Sequence, residues 1–192
     1  MTDFFLKLDM KNYSEIVEQL AQYRKEQKTK EGVYFLMKHY DLQHPLLKDI
    51  TFRDEISNNS ILLTAEGSKE KGFTIRIPNN ILYFDYRLVA NLLMHEILHL
   101  YQRSGKEPIE ERSEREWQAY TEMIFHQRFP QLPTLSNNLQ IQFAKKALKY
   151  YQQMGEESSL QDKYLSQKNV LEIVLKQLES EEKIHKTENN NL

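Results

Sequence analysis

The chain has 192 residues, 40% of them hydrophobic and 28% charged, which is enough apolar material for a folded core and excludes wholesale disorder. Its 26 Lys and Arg against 28 Asp and Glu leave a net charge of -2, without the basic excess of a nucleic-acid binder. With no cysteine, disulfides, thiolate zinc fingers, iron–sulfur ligation and a cysteine nucleophile are all excluded, and five glycines leave little material for phosphate-binding loops.

The N-terminal stretch carries Asp3, Lys7 and Asp9 among its apolar residues, so no secretory signal is expected. No run is long and apolar enough to span a bilayer, and the expected location is the cytoplasm. Asn12 with Glu15 three residues on predicts a capping box opening a helix to about Lys30. Ile16, Val17, Leu20, Ala21 and Tyr23 recur along it at helical spacing. A short second helix is expected over Val33 to Tyr40, after Gly32. The pattern then changes to short apolar-rich segments, Ile50 to Ile56, Ile61 to Thr64 and Phe73 to Ile77. Asn58-Asn59-Ser60 and Gly67-Ser68-Lys69 mark turns between them, and the short connections predict a small, mostly antiparallel sheet.

Helical periodicity returns at Asp85 and continues to about Arg103, stopped by Ser104-Gly105. Further helices are expected from Pro108 to about Arg128, from Ser136 to Gly155, and from Ser159 to His185. The last carries Leu160, Tyr164, Leu171, Val174, Leu175 and Leu178 on one face, which suits docking onto the domain. Trp117, Phe125 and the tyrosines read as packing, because no basic stripe accompanies them. The resulting fold class is α+β: N-terminal helices, a small sheet beside a central helix, and a helical C-terminal extension. Residues 1–155 form the expected domain with a functional core at 50–128, followed by a docked helix at 156–185 and a disordered tail at 186–192.

The chemistry sits in the central helix, at His95-Glu96-Ile97-Leu98-His99. Residues four apart share one helical face, so His95 and His99 can aim two imidazoles at one cation with Glu96 beside them. Shuffling this composition yields such a pattern with probability of roughly 0.02, and the surroundings strengthen the signal. Leu88, Val89, Leu92, Leu93, Ile97, Leu98, Leu100 and Tyr101 cover most of the helix circumference, and burying three ionisable groups there is costly unless something satisfies them. A catalytic zinc site needs about three protein ligands and one open position. Gln102 and Gly105 exclude a third histidine in the longer zinc-protease pattern. The next helix offers Glu110, Glu111, Glu114, Glu116 and Glu122. Glu116 is favoured because the small Ala119 on its face allows close helix approach. Glu114 is the next candidate, and acids at the helix start also meet the helix dipole without any function. His39, His44, His126 and His185 receive no role. The segment GFTIRIPNN, residues 72–80, is a strand that could line the cleft and pair with an extended peptide.

Over roughly residues 50 to 128 the sequence resembles the zincin metallopeptidases of the gluzincin type, which combine a His-Glu-x-x-His helix with a downstream glutamate, often in E-x-x-A-D. The stretch Glu116-Trp117-Gln118-Ala119-Tyr120 occupies that second place. The compact layout is similar to the small bacterial and phage peptidases of the ImmA/IrrE type. The resemblance implies a zincin-like fold, Zn2+ on His95, His99 and Glu116, Glu96 as general base, and a peptide or protein substrate, with neither nucleic acid nor membrane as partner. Tyr120 departs from the pattern where many members have an aspartate orienting a ligand histidine, so either another acid supplies that role or the site is weaker. Tyr101, Tyr120 and His126 are the available donors to a developing oxyanion. The rival expectations are a non-enzymatic regulatory or interaction protein with a structural or vestigial metal site, and a metal-free helical adaptor. The oligomeric state is not legible in the sequence.

Overall fold

The computed structural model describes residues 2–54 and 60–189, with side chains over 13–54 and 60–184. Its elements are α1 (Thr2–Lys25), α2 (Thr29–His39), β1 (Leu47–Arg53), β2 (Thr64–Ser68), β3 (Gly72–Pro78), a single 3-10 turn (Ile81–Tyr83), α3 (Tyr86–Ser104), α4 (Arg112–Phe125), α5 (Asn137–Gln153) and α6 (Ser159–Asn189). The α+β class is as expected. Residues 1–96 and 97–192 form two compact units, the division falling inside α3.

In the first unit, α1 runs through Asn12 rather than starting there, since neither Gly nor Pro interrupts the sequence before Gly32. It ends at Lys25 in a C-terminal motif built on a left-handed Gln27 (φ 55°). There the Lys28 N–H donates to Tyr23 O at 2.9 Å and the Gln27 N–H to Arg24 O at 3.1 Å. Gly32 lies inside α2, where it serves close approach: a Cβ there would sit 2.6 Å from Leu82 Cδ1.

The sheet differs from the mostly antiparallel expectation. Its order is β1-β3-β2, with β2 antiparallel to β3 and β1 parallel to it, so the sheet is mixed. β2 lies on the far side of β3 from β1, and the turn at 69–71 brings β3 back between the other two. With a strand in the connection, β1 and β3 run in the same direction without a crossover helix. β2 starts at Thr64, so Ile61 to Leu63 precede the strand, while Gly67 and Ser68 pair with Phe73 and Gly72 instead of turning. As the central strand, β3 buries Phe73, Ile75 and Ile77 completely, as β1 does Ile50. Both of its edges are occupied, so residues 72–80 cannot take a peptide by strand addition; the edge strands are β1 and β2. The Asn58-Asn59 turn lies outside the described residues.

In the second unit, Trp117 is fully buried and packs with Ala144, Ala147, Tyr151, Met154, Leu171 and Leu175, which ties α4, α5 and α6 into one cluster. The Trp117 indole N–H donates to Gln167 Oε1 at 3.1 Å. Trp117 is a packing residue, as expected. Helix α6 continues past His185 to Asn189, and the end of the expected tail, 190–192, lies outside the described residues. Among the described residues no helix is long and apolar enough to cross a membrane.

Candidate metal centre

Helix α3 begins behind Asp85, whose Oδ1 accepts the Arg87 N–H at 2.8 Å, an N-cap that satisfies one of the otherwise unpaired first-turn amides. Every residue from Leu93 to Leu100 is buried, His95, Glu96 and His99 included. Three ionisable side chains within one buried stretch require polar partners or an ion.

His95 and His99 present their rings one turn apart, and Glu116 of α4 joins them. One ligand atom from each of the three lies within 4.8 Å of the others. Glu116 Oε1 is 3.8 Å from His99 Nε2 and 3.9 Å from Arg112 Nε. Tetrahedral ligation at about 2.0–2.1 Å sets ligand atoms about 3.4 Å apart, so the group needs only modest contraction to close on a cation. Two imidazoles and a carboxylate, buried and convergent, fit a divalent metal; the N/O donor set suits zinc and other first-row ions alike.

Three other acids of this region have different partners. Glu114 Oε1 takes hydrogen bonds from Lys163 Nζ at 2.7 Å and from the Tyr164 hydroxyl at 2.6 Å. Glu111 stands at the N-cap position of α4, and its Oε1 accepts from Ser113 Oγ at 3.0 Å. Glu122 Oε1 accepts the N–H groups of Arg128 at 2.7 Å and Phe129 at 2.9 Å, closing the chain around the left-handed His126 that ends α4. Of the two glutamates weighed as third ligand, the structure brings Glu116 to the histidines and engages Glu114 with α6.

Glu96 Oε2 accepts the backbone N–H of Ala65 at 2.7 Å. Ala65 lies on β2, an edge strand, so an amide of that strand anchors one oxygen of this carboxylate.

One hydrogen-bond partner of His99 was not foreseen. His99 Nδ1 lies 2.7 Å from Gln102 Oε1. Gln102 stands three residues after His99 on the same helical face, and that spacing was the available signal. In the sequence Gln102 serves only to exclude a longer histidine pattern, and the alternative expected to Tyr120 is another acid. Tyr120 instead stacks on Phe143 at 5.8 Å and Tyr150 at 5.7 Å. The Arg128 guanidinium lies over the Tyr101 ring at 4.1 Å. Burial holds the His126 imidazole below its ordinary pKa. His39 and His44 sit among aromatic rings, beside Tyr40 and Phe73 respectively.

No family model, curated protein or solved structure matches this chain. What stands by geometry is a possible metal-binding triad with a second, backbone-anchored carboxylate beside it.

Proposed function

We propose that this protein is a zinc-dependent metallopeptidase, with His95, His99 and Glu116 holding the ion and Glu96 as general base. The observation that carries the reading is the buried convergence of two imidazoles and one carboxylate, with Glu96 next to the first histidine. When bound there, a divalent ion supplies Lewis-acid polarisation and acidifies nearby water. The Ala65 N–H holds Glu96 Oε2, which sets the direction in which Oε1 accepts a proton from the attacking water. Glu96 then returns that proton to the departing amine. Because β2 is an edge strand and one of its amides is directed at Glu96, an extended peptide added along that edge would run beside the base. Burial of the base on α3 limits competing contact with bulk water.

The test is a Zn2+-loaded protein and its Glu96→Gln variant, compared on a mixed fluorogenic peptide library with metal content measured in both. The expected outcome is cleavage by the parent, unchanged metal content in the variant, and a loss of turnover of about 10²–10⁴-fold. Metal binding without cleavage of any peptide would favour the regulatory reading, and an equally active variant would remove Glu96 from its role.

A further inference from the structure

Resting on the metal-centre reading, we propose that Gln102 is the positioning residue for ligand His99 and that Tyr164 of α6 is its remote anchor. The two are joined by a hydrogen-bond chain whose donors all point away from the metal centre. The chain runs from His99 Nδ1 to Gln102 Oε1 at 2.7 Å, then from Gln102 Nε2 to Gln118 Oε1 at 3.1 Å. It continues from Gln118 Nε2 to the Tyr164 hydroxyl at 2.6 Å, and from that hydroxyl to Glu114 Oε1 at 2.6 Å.

Two groups fix its direction. The carbonyl of Arg115 can only accept, and it takes the Gln102 amide at 3.0 Å. The NH2 end of Gln102 must therefore face α4 and its oxygen must face His99. An amide oxygen cannot donate, so the proton between them belongs to His99 Nδ1, and the Nε2 lone pair is left directed towards Glu116 and the ion position. At the far end the Glu114 carboxylate, also bound by Lys163 at 2.7 Å, forces Tyr164 to act as donor. The Tyr164 hydroxyl then accepts from the Gln118 NH2, which leaves Gln118 Oε1 to receive Gln102. Each link polarises the next in the same sense.

Neutral amides thus do the work for which an acid was sought at position 120, and they do it across three helices. Glu114 terminates the chain, which gives its burial a purpose other than ligation. The Tyr164 ring also packs 6.1 Å from Trp117, so the anchor is held by the core of its own unit.

The experiment uses the full chain with 15N-labelled histidine. Zn2+ affinity is measured by chelator competition, and the ring protonation of His99 is read by NMR in metal-free protein. The parent is expected to show His99 as the Nδ1–H tautomer. Gln102→Leu is expected to lose that preference and bind Zn2+ about 10–100-fold more weakly. Tyr164→Phe keeps the ring and removes the hydroxyl, and is expected to give a shift in the same direction of about a few-fold. A merely structural Gln102 would lower the melting temperature without moving the tautomer. Wild-type Zn2+ affinity together with an unchanged Nδ1–H signal in Gln102→Leu overturns the proposal. If that variant does not fold, the same two unchanged readouts in Tyr164→Phe overturn it. A parent that binds no Zn2+ defeats the metal-centre reading instead, while the tautomer in metal-free protein still decides the chain.

Discussion

Helices α3 and α4 hold their carboxylates in opposite ways. On α3, Glu96 is the only glutamate, set in an unbroken buried stretch and tied to one backbone amide of β2. On α4 the acids are many, and burial does not separate them: the Glu114 side chain is 9% exposed and that of Glu116 is 16% exposed. The better buried acid is the one already satisfied, by Lys163 and Tyr164, and Glu122 is likewise engaged with two backbone amides. Glu116 faces the His99 imidazole at 3.8 Å and the Arg112 guanidinium at 3.9 Å. The difference teaches that the acids of α4 are told apart by which donors surround them, and less by how deeply they lie.

Substitutions on α4 and at the start of α3 can break or sharpen this contrast. Glu116→Ala should weaken metal binding by about 10²–10³-fold, roughly one ligand's share of a four-ligand zinc site; chelator competition measures it, and a small effect would move the third ligand elsewhere. Glu122→Ala should leave metal affinity unchanged and cost about 2–3 kcal/mol in denaturant unfolding, because two backbone amides lose a charged acceptor. Glu114→Gln should change metal affinity by less than about 10-fold, since it touches the site only through the chain ending at Tyr164; a loss matching that of Glu116→Ala would make it the ligand. The smallest effect is expected at Asp85, where replacing the N-cap by Ala costs about 1 kcal/mol at neutral pH. The hydrogen bonds from Arg87 hold the Asp85 carboxyl below the usual carboxylate range. Its contribution is therefore complete above the unfolded-state value near 3.9 and disappears as pH falls through the lower folded value. Unfolding of both proteins along an acid series should show the curves converge.

Much of this contrast was legible on α3 and little of it on α4. The apolar run around His95 made its polar residues conspicuous, and the helix bounds follow from a capping Asp85 and a stopping Gly105. On α4, choosing Glu116 depended on Ala119, which is fully buried, but the partners that occupy Glu114 come from α6, nearly fifty residues later in the chain. No local pattern carries that information. The ends of α1 and α4 were missed where residues other than glycine take the left-handed turn, as Gln27 and His126 do. The parallel pairing of β1 with β3 escaped because strand order is a long-range property, invisible to turn signals. Gln102 stands at helical spacing from His99, but the resemblance points to an acid, not an amide, as the partner of that imidazole.

The packing at Gly32 bears on how the start of α3 is placed. The 3-10 turn containing Leu82 feeds directly into Asp85, and Leu82 presses on the bare α-carbon of α2 with room for a hydrogen atom and nothing larger. Gly32→Ala would set a methyl group 2.6 Å from Leu82 Cδ1, so that either the Leu82 side chain swings aside or the turn leading into α3 gives way.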